Sequence, residues 1–172
     1  RRKISVADWD GDGRLDVLVD SANADWWRNC ETRDGNIVLK RVGPLGQRQL
    51  AAHSTSPCVV DWDGDGRIDL IYNLAGTGEI YLLRNVGSQR EPVFAAPRQM
   101  KCYGERISFT IHGPNAWPGD FNGDGKLDMY VTSRGFFGNA VGKHKLYRNT
   151  GHSFVNEAVA AGVNQTGATV PE

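Results

Sequence analysis

Short apolar runs recur along the chain, and each is bounded by glycine, proline, asparagine or serine. Runs of four to eight residues rich in Val, Ile, Leu and aromatic side chains are typical of β-strands. They form three groups of four and predict an all-β fold, in which only Phe154–Ala161 also suits a helical turn. The predicted strands are Lys3–Ala7, Asp16–Asp20, Asp25–Asn29 and Asn36–Val42; Pro57–Val60, Asp69–Asn73, Glu79–Asn85 and Pro92–Ala96; Ala116–Gly119, Asp128–Thr132, His144–Asn149 and Ser153–Ala158.

An internal repeat underlies this grouping. Asp8-Trp-Asp-Gly-Asp-Gly-Arg-Leu-Asp16 recurs from Asp61 and, with small changes, from Asp120, so the starts are 53 and 59 residues apart. An Arg-Asn pair follows each copy and ends at Asn29, Asn85 and Asn149. Four strands per unit at this period predict β-propeller blades, over residues 1–56, 57–115 and 116–172, the last with the start of a further blade. Because propellers close with about four to eight blades, we expect the chain to need the remainder of a propeller or self-association.

The repeated loops have the composition of a calcium site. Positions 1, 3 and 5 bring carboxyl oxygens together, the glycine at position 6 permits the sharp turn, position 7 offers a backbone carbonyl and position 9 closes the shell. Oxygen donors without His or Cys favour Ca²⁺, about one ion per repeat, and suit Mg²⁺ or Mn²⁺ less well. A metal-free acidic turn is the alternative, which three copies make unattractive. The predicted ligands are Asp8, Asp10, Asp12, Arg14 and Asp16; Asp61, Asp63, Asp65, Arg67 and Asp69; Asp120, Asn122, Asp124, Lys126 and Asp128.

Two details refine the metal prediction. Position 12, where an EF-hand carries a bidentate Glu, holds Val19, Tyr72 and Val131, so the loops are not EF-hands. Asn122 at position 3 removes one negative charge, and we expect the third loop to bind its ion most weakly. The position-2 aromatics Trp9, Trp62 and Phe121 are expected to belong to the blade core.

Three DxDxDGxxD loops between first and second strands resemble the FG-GAP/VCBS-type repeats. The resemblance implies a calcium-binding propeller like those of integrin α-chains and of many secreted bacterial proteins, with calcium held by the loop positions named above. It implies an extracellular, cell-surface or periplasmic location, which also suits weak calcium sites. The sequence departs from the family pattern at Asn122 and in lacking a literal Phe-Gly…Gly-Ala-Pro segment. The family includes adhesins, lectins and polysaccharide lyases, so the activity stays open.

The charge distribution indicates a binding face. The chain has 20 Lys and Arg against 20 Asp and Glu, but eleven of the acids lie in the three loops. Calcium-loaded protein is therefore basic, with long connections on the face opposite the calcium loops. These connections suggest binding of a glycan, especially an acidic one, or of a surface protein. The candidate ligand-binding residues are Arg48, Arg106, Arg134, Phe136 and Lys143.

Two other functions remain open at this point. The first is a polysaccharide lyase or other glycan-active enzyme that uses His53, His112, Arg106 and Tyr103 for charge neutralisation and proton transfer. The second is a purely structural repeat module in a large surface protein. Nucleic acid is disfavoured because no dense basic stripe or recognition helix is present. The chain contains no apolar run of 18 residues, so no membrane span is expected.

Overall fold

The computed structural model describes residues 4–19, 25–45, 57–74, 77–108, 115–132 and 144–162. Throughout these ranges the secondary structure is β, without a helix, as the hydrophobic pattern predicts. The strands build three antiparallel sheets of four, and the third sheet is extended by two further short strands. The repeats therefore correspond to four-stranded units, while the blade boundaries drawn from the repeat stay a prediction.

The first sheet is a meander of β1 Ile4–Ala7, β2 Asp16–Val19, β3 Asp25–Arg33 and β4 Asn36–Pro44. The two long strands extend past the predicted ends at Asn29 and Val42. Asp34 and Gly35 close the hairpin between them with φ values of 51° and 77°. Both belong to the left-handed region that a two-residue hairpin turn requires and that Asp and Gly tolerate. The β3–β4 hairpin therefore extends well beyond the end of the sheet at which residues 8–16 connect β1 to β2.

The second sheet comprises β5 Cys58–Val60, β6 Asp69–Leu74, β7 Glu79–Leu83 and β8 Arg98–Gln99. The predicted fourth strand, Pro92–Ala96, is wrong: only Phe94 forms an isolated bridge, to Asn85. The side chain of Asn85 explains this difference, because its Oδ1 accepts hydrogen bonds from Gly87 N at 3.1 Å and Val93 N at 3.2 Å. The segment is held as a compact loop, and the fourth strand starts after it.

The third sheet comprises β11 Asn115–Gly119, β12 Asp128–Thr132, β13 His144–Asn149 and β14 Phe154–Asn156. A hairpin of β9 Lys101–Cys102 and β10 Glu105–Arg106 joins it, because Cys102 pairs in parallel with Phe154. The pattern did not predict this hairpin, since strands of two residues show no alternation. The helical alternative for Phe154–Ala161 is wrong: β14 is extended, and turns follow it from Ala158 to Gly162.

Two apolar clusters hold the sheets together. One lies between the first and second sheets and includes Trp9, Leu18, Leu70 and Tyr72. The other lies between the second and third sheets and includes the larger set Ile71, Ile80, Leu82, Met129, Val131, Tyr147 and Phe154. Successive residues of β6 point to opposite clusters, as the two-residue period of a strand requires. Among the described residues, the second sheet is therefore covered on both faces, whereas the other two are each covered by a neighbouring sheet on one face.

Candidate metal centres

Each acidic loop connects the first and second strands of a sheet. We call them loop 1 (8–16), loop 2 (61–69) and loop 3 (120–128). The position-1 carboxylate organises each loop by accepting backbone amides: Asp61 Oδ1 accepts Gly64 N at 2.8 Å and Asp65 N at 3.1 Å, and Oδ2 accepts Gly66 N at 2.9 Å. Asp8 and Asp120 accept amides of their own loops in the same way. The paired glycines of loop 1, Gly11 and Gly13, have φ values of 71° and 86°, which a side chain would strain.

Positions 1, 3 and 5 of the first two loops converge. One carboxylate oxygen from each of Asp8, Asp10 and Asp12 lies within 4.8 Å of the others, and the same holds for Asp61, Asp63 and Asp65. Asp10 is only 6% exposed. Its Oδ1 is buried without a hydrogen-bond partner. A buried carboxylate oxygen without a donor is costly, and a cation among the three acids would satisfy it. The donor set therefore fits a hard cation such as Ca²⁺.

Positions 5 and 7 of each loop are joined twice. Asp12 Oδ1 accepts the Arg14 amide at 2.9 Å, and Arg14 Nη2 lies 2.6 Å from Asp12 Oδ2. The Arg14 backbone hydrogen bond, assisted by the Arg14 charge, lowers the pKa of Asp12. Lys126 serves Asp124 in the same way, and its backbone amide lowers the pKa of Asp124. The predicted position-7 residues therefore hold position 5 through their side chains, and their carbonyls as ligands stay a prediction.

The position-9 carboxylate ties its loop to the third strand of the sheet. Asp16 is fully buried and accepts hydrogen bonds from Trp26 Nε1 at 3.0 Å and Asn29 N at 2.7 Å. Asp69 accepts Asn85 N at 2.7 Å, and Asp128 accepts Asn149 N at 2.8 Å. Burial raises the pKa of Asp69. Because each carboxylate oxygen has two lone pairs, these bonds leave lone pairs that a cation can share, and ligation by position 9 stays a prediction.

The Arg-Asn pair that follows each loop supplies functional residues that the sequence reasoning did not assign. Arg28 Nε lies 2.6 Å from Asp10 Oδ2, and Arg84 forms an ion pair with Asp63. In the third sheet, where position 3 is Asn122, Arg148 Nε instead lies 2.5 Å from Glu157 Oε1. The recurrence of this pair at a similar distance from each loop was the signal that could have revealed it.

The predicted ligand-face residues are described only in part. Tyr103 and Arg106 lie on the β9–β10 hairpin, and Arg106 Nη1 donates to Glu79 Oε1 at 3.0 Å. Glu79 begins β7, which ends beside loop 2, so Arg106 lies at the opposite end of the second sheet from the metal loop. Six predicted residues lie outside the described ranges and are not placed: Arg48, His53, His112, Arg134, Phe136 and Lys143.

The prediction that all three position-2 aromatics are core residues is wrong for one of them. Trp9 is fully buried and Trp62 packs against the second cluster, but Phe121 is 54% exposed. Trp9 and Trp62 face the next sheet along the chain. Phe121 points to the corresponding side of the third sheet, where the described residues provide no further sheet to cover it.

Fold and loops together define an all-β repeat protein with an acidic loop between the first two strands of each unit. Residues 8–72 and 61–131 match the FG-GAP-like repeat model. The chain belongs to the FG-GAP-like repeat family. Repeats of this family are typically found in extracellular proteins. Searches of curated proteins and of solved structures each found no match. In the described part of the chain, no helix has the length and apolar character needed to cross a membrane.

Proposed function

We propose that this protein is a calcium-binding repeat module of a secreted or surface protein and that it presents a basic face to a glycan. The observation that carries the calcium part is Asp10, which belongs to a cluster of three converging carboxylates and whose Oδ1 is buried without a hydrogen-bond partner. Each ion would neutralise carboxylates that repel one another and would fix the turn between the first two strands. Asp8, Asp10 and Asp12 hold the ion in loop 1, and the equivalent residues do so in the other loops.

Calorimetric titration with CaCl₂ tests this proposal. Wild-type protein is expected to bind about three ions, and Asp12→Ala is expected to lose the ion of loop 1. Asp10→Asn gives loop 1 the donor set of loop 3 and should weaken that site without abolishing it. Asp34→Asn is the matched control, since this exposed acid lies in a hairpin turn away from the loops and Asn tolerates its positive φ. Absence of calcium heat in the wild type, or equal losses in Asp12→Ala and the control, would contradict the proposal.

The glycan part rests on the end of the molecule opposite the loops. Arg106 is exposed there despite its bond to Glu79, and Tyr103 is 68% exposed in the same hairpin. A guanidinium and an aromatic ring exposed on one hairpin suit an acidic sugar, because the guanidinium binds the carboxylate or sulfate and the ring stacks on the apolar sugar face. We assign Arg48, Arg134, Phe136 and Lys143 to the same face on the basis of the sequence. Weak calcium sites suit extracellular fluid or a periplasm, where this module would work.

A glycan array in calcium tests the partner. Arg106→Glu and Tyr103→Ala should reduce binding to acidic glycans, and added salt should weaken it because exposed charges are screened. Arg90→Glu is the matched control: Arg90 is an exposed arginine of the loop that contacts loop 2 through Gln89, which accepts Ile68 N at 2.7 Å. Preference for neutral sugars, or equal losses in Arg106→Glu and Arg90→Glu, would reject an acidic glycan and leave a surface protein as the partner class.

A further inference from the structure

The third sheet exposes an apolar face that has a covered counterpart in each of the other two sheets. In the first sheet, Leu18 and Trp26 point toward the second sheet. Their repeat equivalents in the second sheet, Ile71 and Leu82, point toward the third. In the third sheet the same register positions are Tyr130 and Leu146, and neither is among the residues of the two clusters. Trp117 and Phe121 lie on this face and are 56% and 54% exposed.

An aromatic contact recurs at the covered interfaces. Trp9 of the first sheet lies 6.4 Å from Phe94 of the second, and Trp62 of the second lies 6.1 Å from Phe154 of the third, measured between ring centroids. Phe94 and Phe154 both pair with the asparagine of the Arg-Asn pair. Phe121 is the third residue in the Trp9 and Trp62 series. Phe121 would make the equivalent contact with another sheet that has an apolar residue at the position of Phe94.

The opposite outer face of the same chain offers that position. Leu39 pairs with Asn29 in the first sheet, as Phe94 pairs with Asn85, and it is 37% exposed. Val6 is the repeat equivalent of Val59, which packs in the first cluster, yet Val6 is 49% exposed. The outer face of the first sheet therefore has the apolar positions that close both internal interfaces.

We propose that the partner of these faces is a second copy of this chain, bound head to tail. The Trp117 and Phe121 face of one copy packs on the Val6 and Leu39 face of the other. The choice of a second copy rests on this register match, because the required complement is present on every molecule. A heterologous contact closes when its rotation returns to the start. The three sheets of the described residues, taken from two copies, would place six sheets in one ring, within the range of known propellers.

Sedimentation velocity on the full chain, from low to high micromolar concentration in calcium, tests the proposal. Wild-type protein is expected to form a dimer. Val6→Asp and Trp117→Asp should each give monomers, because every contact uses one face of each kind and a carboxylate on either face would be desolvated. Both sites are about half exposed, so the fold should persist, which the far-ultraviolet circular dichroism spectrum checks. Val86→Asp, at an exposed valine away from both faces, is the control and should remain dimeric.

Mixing the two face variants separates head-to-tail binding, which joins unlike faces, from a dimer that joins the same face of both copies. The Val6→Asp copy keeps its Trp117 face, and the Trp117→Asp copy keeps its Val6 face, so an equimolar mixture should recover a dimer through one intact contact. A dimer that used the same face on both copies would leave one of the two variants dimeric on its own, because that variant keeps the face in use. A wild-type monomer at every concentration, variants that remain dimeric, or a mixture that stays monomeric would each overturn the proposal.

Discussion

Loops 1 and 2 differ from loop 3 in the path of one arginine. In the first two, position 3 is an aspartate and the arginine of the following Arg-Asn pair lies against it. In loop 3, position 3 is Asn122, and Arg148 turns to Glu157. The arginine is therefore paired with position 3 in the two loops where that position is charged, and with Glu157 in the unit where it is not.

This difference changes what the acid count means for metal binding. Loop 2 has four aspartates, but Arg67 and Arg84 form ion pairs with them. Loop 3 has three aspartates and one paired cation, Lys126. When the paired cations are counted with the aspartates, loop 2 and loop 3 each carry a net charge of −2. The expectation that loop 3 binds most weakly stays a prediction, and the ion pairs indicate a smaller gap than the acids alone suggest.

The largest expected effect concerns the feature that the loops share, the buried position-9 carboxylate. Asp69→Ala leaves the Trp62 and Asn85 amides without their acceptor and should cost about 3 kcal/mol of unfolding free energy. Asp128→Ala should cost a similar amount, because Phe121 and Asn149 lose equivalent bonds. Urea unfolding in chelator measures both, with exposed Glu91→Ala as the control. A loss confined to one of the two variants would show that the loops do not share this role.

The next effect tests the arginine that distinguishes the loops. Arg84→Met removes a cation paired with Asp63 and should raise the calcium affinity of loop 2 roughly tenfold, since a bound ion no longer competes with it. Arg148→Met should change loop 3 by about twofold at most, because its main partner is Glu157.

Calorimetry can isolate each site for this test. For loop 2 the background carries Asp12→Ala and Asp124→Ala; for loop 3 it carries Asp12→Ala and Asp65→Ala. Equal gains in the two loops, or a loss in Arg84→Met, would contradict the competition between arginine and ion.

Converting loop 3 to the composition of the others should have a smaller effect. Asn122→Asp adds a carboxylate, which by itself strengthens calcium binding, but it also gives Arg148 a new partner that offsets the gain. We expect an increase of about threefold, rising to roughly tenfold when Arg148→Met is added. The same calorimetric background reports both values. An Asn122→Asp increase that the second substitution does not enlarge would show that the arginine stays with Glu157.

The smallest expected effect concerns Glu79, which lies at the end of the second sheet opposite loop 2. The Tyr81 hydroxyl, which donates to Glu79 at 2.8 Å, and Arg106 lower the pKa of Glu79. A lowered carboxyl pKa contributes stability above the unfolded value and loses it as the pH falls through the folded value. Glu79→Gln should therefore reduce stability at neutral pH more than in acid. The control Glu91→Gln should leave the stability unchanged at both pH values. Urea unfolding midpoints at neutral and at acid pH, with calcium absent, measure the effect. A loss of stability in Glu79→Gln that is as large in acid as at neutral pH would contradict the prediction.

The strands next to the loops could be predicted from the sequence because alternation and repetition agree there. Asp128–Thr132 and His144–Asn149 match the structure from end to end. The Pro92–Ala96 strand was wrong because the Asn85 side chain competes for the backbone, and side-chain hydrogen bonds of this kind leave no hydrophobic period.

The convergence of the acidic side chains in the candidate site could be predicted, but the cations that pair with them could not. The spacing of Asp8, Asp10 and Asp12 predicts that they converge, and the structure brings them together. The partner of Arg148 could not be predicted, because a long flexible side chain selects among the acids near it in the fold, and here it pairs with Glu157. The exposure of Phe121 could not be predicted either, since composition does not tell which face of a repeat lacks a neighbour.

The central claim is that the acidic loops bind calcium and that the bound ions stabilise the fold. Thermal unfolding of wild-type protein in millimolar calcium, compared with chelator, tests it. With three sites occupied at about ten times their dissociation constants, the stabilisation is about 4 kcal/mol, and the melting temperature should rise by roughly 10 °C. Magnesium at the same concentration should give a much smaller rise, because it prefers a tighter octahedral site that retains water. A melting curve that is the same in calcium and in chelator would contradict the account.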